Sequence, residues 1–440
     1  MGSTAEEEAR CFLSRFVEEF PVPVGPGVAL PLAPPSRPPT LDELRGDSLD
    51  LGLRLLAARK APGSLAAALC EAALSELLKS DLSPLHCPQD AQQQDGEQEV
   101  LLLHSEPVQR LFFNKLREVG VAWHQHLPAH PEAPPLVPLC SAHAIRNSRR
   151  KMEDRHVALA HFNQLLGLQD GTSRQYYAVF DGHGGVDAAN YAATHLHVLL
   201  GQQGALASDP DTAFKEAFTR TDHMFRGKAR RERLRSGSTG VAVLLQGGAL
   251  TVAWLGDSQA LLVRGGQAVP LMEPHKPERE DERERIEGLG GCITFMGCWR
   301  VNGTYAVSRA IGDFDQKPYV SGDADCSSTQ LTGDEDYVLL ACDGFFDTVS
   351  SEEVPQLVLG ALRKHREPLE GEEPRGEGEE PQGEEPLGLL GEDVARQLVA
   401  HAKAAGSSDN ITVMVVFLRS PELLLVGGAK DSNSQDAQGQ

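Results

Sequence analysis

Residues 239–271 read TGVAVLLQGGALTVAWLGDSQALLVRGGQAVPL. Four runs suited to strands, Thr239–Leu245, Ala249–Leu255, Ala260–Val263 and Ala268–Leu271, are joined by GG, GDSQ and RGGQ. Joints this short connect only antiparallel neighbours, because a parallel crossover needs a dozen or more residues. The β texture spreads outward from here, beginning near His143 and ending in a strand at Ile411–Leu418. Helices interrupt it. Thr212–Arg235 sets Phe214, Ala217, Phe218, Thr221 and Phe225 on one face. Ser350 followed by Glu353 has capping-box spacing and predicts a helix to about Lys364, with Pro355 tolerated in its first turn. A further helix is expected at Asp393–Ala405.

Ahead of the β region, residues 1–138 are rich in Ala, Leu and Pro. Helical patterning falls at Leu41–Arg59, Ser64–Lys79 and Val108–Leu127, and the polar stretch Gln89–Glu99 separates the last two. The Glu/Gly/Pro run Glu367–Pro386 cannot bury a core and reads as a solvated insertion. The expected organisation is a helical N-terminal regulatory or interaction region with flexible joints (1–138), a mixed α and β domain (139–420) with a disordered insertion near 367–390, and a disordered tail (421–440).

The net charge of −22 argues against a nucleic-acid partner, because polyanion binding needs a basic surface that releases counterions. The eight cysteines form no CxxC pair, which favours reduced thiols inside a cell. No segment approaches the ~20 apolar residues of a membrane span, and MGSTAEEEAR lacks a secretory pattern. The expectation is a soluble protein of the cytosol, with the nucleus as the alternative.

Acids recur at the ends of apolar runs. YYAVFDGHGG ends one on Asp181, LTVAWLGDS on Asp257 and YVLLACDGFFD on Asp343, while SSDNITVMVVF starts one just after Asp409. Any one of these suits a turn or helix cap. Four together, gathered by a sheet at one edge, would repel one another and raise each other's pKa unless cations intervene. All-oxygen ligands select Mg²⁺ or Mn²⁺, and no His/Cys set has zinc spacing. The glycines flanking His183 let the backbone approach a ligand, and the ring itself reads as a metal ligand, a structural histidine or a proton donor. Arg149 heads the run RRKMED, and a guanidinium beside a metal site offers a fork for phosphate oxygens. Metals that activate water, an arginine for an anion and a histidine for a leaving oxygen describe phosphate ester hydrolysis. Cys140–Arg146 has the bare cysteine-x5-arginine spacing of thiol phosphatases, but no glycine inside it frees backbone N–H groups for phosphate.

Taken together, RRKMEDRH (149–156), YAVFDGHGG (177–185), SGSTGVAVLL (236–245), WLGDSQALL (254–262), PEREDERERIEGLGG to RVNGTYAVSRAIGDFDQKP (277–318), LLACDGFFD (339–347) and SSDNITVMVV (407–416) resemble the metal-dependent serine/threonine protein phosphatases of the PPM type. The resemblance implies an α+β fold, a four-layer αββα sandwich of two antiparallel sheets flanked by helices, here with a helical N-terminal extension. It implies a site for two Mg²⁺ or Mn²⁺ ions. Asp181 would bridge them, the Gly182 carbonyl, Asp343 and Asp409 would complete the protein ligands, and Glu153 would support through water. Asp257 and Asp347 match positions that hold a weaker third ion. Arg149 would grip the phosphate and His183 would act as general acid, with Arg279–Val301 as a substrate-selecting flap. Gln259 departs from the arginine many relatives carry after GDS, away from the ligand positions. The variants GDSQ, KPYVSG and CDGFFD point to the branch acting on calmodulin-dependent or p21-activated kinases and binding PIX-type exchange factors. A decayed scaffold conflicts with the intact ligand positions, and a two-metal nuclease would want a basic groove.

Overall fold

The computed structural model of the protein describes residues 2–33, 37–88, 101–128, 137–364, 391 and 393–425. The polar joint at Gln89–Glu99, the insertion near 367–390 and the tail from 426 lie outside the described residues. The chain forms two compact units, one of Met1–Leu136 with Ala160–Gln175, the other of Val137–Leu159 with Tyr176–Gln440.

The first unit is helical: α1 (Gly2–Glu19), α2 (Leu41–Ala57), α3 (Gly63–Lys79), α4 (Ser105–Gln125) and α5 (Phe162–Leu166). Three of these match the expected helices. The unread α1 buries Ala9, Phe12, Leu13 and Phe16, a helical spacing of apolar residues behind an acidic first stretch. Thr40 starts α2 with a reciprocal cap: its hydroxyl accepts from the Glu43 N–H at 3.2 Å and its own N–H donates to the Glu43 carboxylate at 2.8 Å.

The second unit opens with β1 (Leu139–Ile145), β2 (Arg155–Leu159), β3 (Arg174–Phe180) and the two-residue β4 (Gly182–His183). Then come α6 (Asp187–Gly201), α7 (Pro210–Glu232), β5 (Gly237–Ser238), β6 (Gly240–Gln246), β7 (Ala249–Leu255), β8 (Gln259–Arg264) and β9 (Gln267–Pro270). The flap segment holds α8 (Glu280–Gly288) and the hairpin β10 (Ile293–Phe295) and β11 (Trp299–Val301). The chain continues with β12 (Ile311–Gly312), β13 (Asp325–Gln330), β14 (Glu335–Ala341), α9 (Asp343–Phe346), α10 (Val354–Lys364), α11 (Val394–Ala404) and β15 (Ile411–Phe417).

Two five-stranded antiparallel sheets result, β1-β15-β14-β8-β9 and β13-β7-β6-β3-β2. GG and RGGQ form the expected hairpins β6–β7 and β8–β9, whereas GDSQ joins no neighbours, because β7 and β8 lie in different sheets and this joint turns the chain from one sheet onto the other. Alternation along β14 explains the sandwich. Val338, Leu340 and Cys342 point into the core between the sheets, with Val241, Val252, Trp254, Met414 and Val416. Tyr337, Leu339 and Ala341 point the other way, against Val354, Val358, Leu398 and Val399 of α10 and α11. Both faces of this strand are therefore apolar, and it reads as a continuous run rather than an alternating one. Helices α6 and α7 contact strands of the other sheet, completing the four layers. Residues 421–425 add a helical turn whose Leu424 and Leu425 pack on the α10–α11 cluster, inside the segment expected to be tail.

Candidate active site

The sandwich gathers strand ends at one edge. β3 stops at Phe180 just before Asp181, β7 at Leu255 before Gly256-Asp257, and β14 at Ala341 before Cys342-Asp343. β15 begins just after Asp409-Asn410. In register, Ala341 lies opposite Val413 on one side and Gln259 on the other, so Asp257, Asp343 and Asp409 leave their strands at the same level. All four acids line one open cleft of about 920 Å³, together with Arg149, Glu153, Gly182 and His183. Of the residues singled out in the sequence, Asp347 alone is not part of this lining. It follows α9, is largely exposed, and has Lys276 Nζ 3.9 Å from its carboxylate.

Close backbone packing holds this edge together. A Cβ on Gly182 would stand 2.5 Å from the Glu153 carbonyl, and one on Gly344 would stand 1.9 Å from the Asn410 carbonyl. Neither position has room for a side chain, which ties the strand ends to one another. Asn410 acts as the knot. Its side-chain oxygen accepts from the Glu153 N–H at 2.7 Å, and its amide nitrogen donates to the Arg146 and Lys151 carbonyls at 2.9 and 3.0 Å. The basic run 149–151 is thereby fixed at the rim, where Arg149 pairs with Asp409.

Electrostatics at the edge follow the expectation of mutual repulsion. Withdrawal from water, then the charges of Asp343 and Asp154, push Asp181 well above the usual carboxylate range. Asp343 is raised by desolvation, then by Asp409 and Asp347. Burial and Asp343 push Asp257 up to about 7.

Three residues of the edge were given no role in the site from the sequence. Asp154, buried next to the selected Glu153, is pushed up to about 6, chiefly by burial, and its Oδ2 accepts from the Thr412 hydroxyl at 2.6 Å. It forms a compact group with Asp181 and Cys342, their potential ligand atoms all within 4.8 Å of one another. Asp313 is buried and lies 2.6 Å from His183 Nε2. Burial disfavours a charged His183 ring, but the hydrogen bond and charge of Asp313 raise its pKa overall. Asn410 reads in the sequence as part of SSDN and as a glycosylation sequon without meaning inside a cell. Each stands beside a residue that was selected or in a stretch that was quoted, yet short polar residues in turns carry no signal of which partner they meet.

The donor set fits hard divalent cations. Oδ1 of Asp154, Asp313 and Asp343 is buried with no hydrogen-bond partner among the described residues, so carboxylate oxygens are left over for a cation. Cys342 is no competing soft ligand, because burial and the neighbouring acids push its thiol far up and keep it neutral. Cys140 of the decoy motif is likewise pushed up to about 12 by burial in β1. All eight cysteines are free. Among the described residues no helix is long and apolar enough to cross a membrane.

Residues 139–411 match the family model described as Protein phosphatase 2C. The chain is similar to Protein phosphatase 1F of Homo sapiens, 49% identical over 446 residues that cover 100% of this chain and 93% of that protein. It is also similar to Protein phosphatase 1E of Homo sapiens, 48% identical over 393 residues, 88% of this chain and 49% of that one. Among solved structures it resembles a C. elegans sex determining protein, with a TM-score of 0.67 at 21% identity over 97% of both chains. A serine-threonine phosphatase 2C from Toxoplasma gondii matches at a TM-score of 0.53 and 21% identity, over 66% of this chain and 98% of that one. At such identity these two likenesses speak to the fold.

Proposed function

Because the chain belongs to the protein phosphatase 2C family and is a metal-dependent serine/threonine protein phosphatase, we propose that its cleft dephosphorylates protein kinases, calmodulin-dependent or p21-activated. The observation that carries the site assignment is the convergence of Asp181, Asp257, Asp343 and Asp409 on one cleft, with Asp181, Asp257 and Asp343 raised by burial and crowding and Asp343 Oδ1 left without a hydrogen-bond partner among the described residues. In this reading Asp181, the Gly182 carbonyl, Asp343 and Asp409 hold two Mg²⁺ or Mn²⁺ ions, Glu153 supports them through water, and Asp257 with Asp347 holds a weaker third. When bound, such ions neutralise the phosphoryl oxygens and lower the pKa of a water for a one-step displacement.

The chain's own groups do the rest. Arg149, anchored on the 149–151 rim, presents two N–H groups to the phosphoryl oxygens, orienting the ester for in-line displacement. His183 carries the proton for the leaving serine or threonine oxygen. With Asp313 holding Nε2–H, the mobile proton sits on Nδ1, and the raised pKa keeps the ring protonated closer to neutral pH. Asp313 thus fixes which nitrogen delivers the proton.

The motif variants shared with kinase-directed relatives support the substrate class, and they support the N-terminal region, 1–138, as the part that binds PIX-type adaptors beside a catalytic domain at 139–420. The full chain loaded with Mn²⁺ should release phosphate from a phosphothreonine peptide and leave single-stranded DNA intact. DNA cleavage without phosphate release overturns the reading. A phosphorylated calmodulin-dependent kinase should be dephosphorylated with a higher kcat/KM than phosphocasein, and equal values remove the kinase preference.

A further inference from the structure

A basic track leads from the end of α7 into the cleft. Arg226, Arg230, Arg233 and Arg235 are all exposed, and Arg235 lines the cleft beside Gly184 and Gly185. Arg226 lies over the Phe314 ring at 5.9 Å. Arg230, Arg233 and Arg235 make no ion pair or side-chain hydrogen bond among the described residues. Arg150 and Lys151 face the same cleft. This concentration of positive charge belongs to a chain whose net charge is −22.

The helix dipole accounts for Arg230 and Arg231, which sit in the last turn of α7. It does not account for Arg233 or Arg235, which follow the helix. Arg233 occupies the left-handed conformation at φ 56°, where its N–H closes the helix on the Ala229 carbonyl. Glycine takes that conformation without the steric cost an arginine incurs. A charged side chain at a position the backbone would rather give to glycine points to a use for the charge.

We propose that this track docks an Asp/Glu-rich segment of the same phosphoprotein whose phosphoserine or phosphothreonine enters the cleft. The inference rests on the phosphatase reading and names the sequence context it prefers. From Arg226 to Arg235 the track covers roughly 10–20 Å, from the helical rise and the reach of the three residues beyond. An extended peptide spans that in about three to six residues, so the preferred acids lie about three to six positions from the phosphorylated residue.

The test uses the full chain with Mn²⁺ and three phosphothreonine peptides of one core sequence, flanked at those positions by glutamates before it, glutamates after it, or alanines. One glutamate peptide should exceed the alanine peptide about three- to tenfold in kcat/KM at low salt, and the ratio should shrink as ionic strength rises. Combined Arg230→Ala, Arg233→Gly and Arg235→Ala should bring the ratio close to one. Arg233→Gly alone, favourable for the backbone, should lower it partway and keeps the test alive if the combination does not fold. A ratio of one in the unaltered protein, or one unmoved by these substitutions, overturns the docking track. An aryl phosphate, which has no flanking residues, separates the two readings: its hydrolysis together with a ratio of one removes the track and leaves the phosphatase, whereas no hydrolysis of any substrate removes both.

Discussion

At the mouth of the sandwich Asp154, Asp181, Asp257 and Asp343 crowd one another, whereas in the flap segment and beside it Glu282 and Asp325 are each paired with arginine. Glu282, with a side chain only 1% exposed, accepts from Arg285 at 2.8 Å and from Arg309 at 2.7 Å. Asp325 takes Arg309 at 3.0 Å and His275 at 2.9 Å. The consequences are opposite. Burial works against the Glu282 charge, yet the hydrogen bonds from Arg285 and Arg309 outweigh it and carry the pKa down to about 2. For Asp257 burial, then Asp343, outweigh the charge of Lys276 and a backbone hydrogen bond, and the pKa goes up to about 7. Buried acids are therefore not one kind of thing. Those matched by the chain's own cations are scaffold; those left facing each other have coordination to spare for ions from solution. The two regions touch, since His275 Nδ1 accepts the Gly256 N–H at 3.2 Å beside Asp257.

Exchanging charge for a neutral isostere in each region is the strongest way to break this distinction. Asp343→Asn should lower phosphopeptide turnover by on the order of 10³-fold through loss of a cation ligand. It should leave the thermal midpoint of the metal-free protein unchanged or higher, because a repelled carboxylate has been removed. Glu282→Gln should do the reverse, lowering stability by about 3 kcal/mol by stranding Arg285 and Arg309. Denaturant unfolding and phosphate release on both variants decide the matter. A stable Glu282→Gln or an active Asp343→Asn erases the contrast.

pH should separate the regions next. Asp154 and Asp257 hold protons in the folded state at about 6 and about 7, against 3.8 in the ordinary range. Between those values the folded chain binds protons that the unfolded chain has released, so stability falls as pH rises through the window. Glu282 and Asp325, lowered in the fold, add stability that is essentially complete by about pH 5, while His156, His161, His197 and His275, lowered chiefly by burial, add stability that grows with pH up to their ordinary 6.5 and is constant above it. Above pH 6.5 these lowered groups no longer titrate, so the protein in EDTA should melt about 1–2 °C lower at pH 8 than at pH 6.5, and saturating Mn²⁺ should abolish the difference by binding the ionised acids. A metal-free midpoint that rises over this range contradicts the crowding.

The sequence made the strands and the four cleft acids legible for the same reason. Apolar runs bounded by short polar joints mark strands, and an acid where a run stops marks a strand end. GG and RGGQ do form the hairpins β6–β7 and β8–β9, but GDSQ, expected to join neighbours, crosses from one sheet to the other, and which sheet each run enters was not legible. Helix α1 was equally legible in its Ala9, Phe12, Leu13, Phe16 spacing and was passed over behind its acidic start. Asp313 and Asn410 were hidden for a physical reason. The hydrogen bond from Asp313 to His183 spans 130 residues, and the bonds from Asn410 to the 146–153 loop span more than 250. No local pattern records such partners. The opposite fates of Glu282 and Asp343 were hidden too, because each is an acid near apolar residues and only the folded chain shows which one meets arginines.

Asp347 stands between the two regimes and gives the smallest effect. It follows α9 four positions after Asp343, but its side chain is 61% exposed and has Lys276 at 3.9 Å. Its field reaches Asp343 and Asp257, raising both, while solvent screens its own charge. A ligand so placed holds a cation weakly. Asp347→Asn should therefore raise the Mn²⁺ concentration for half-maximal activity by about two- to fivefold, matching the small free energies of exposed charge interactions, and leave turnover at saturating Mn²⁺ within about threefold. A Mn²⁺ titration with a phosphopeptide reads both quantities. A loss as deep as that of Asp343→Asn would place Asp347 among the cleft acids despite its exposure, and an unshifted titration would remove it from cation binding, leaving Asp257 without its expected companion.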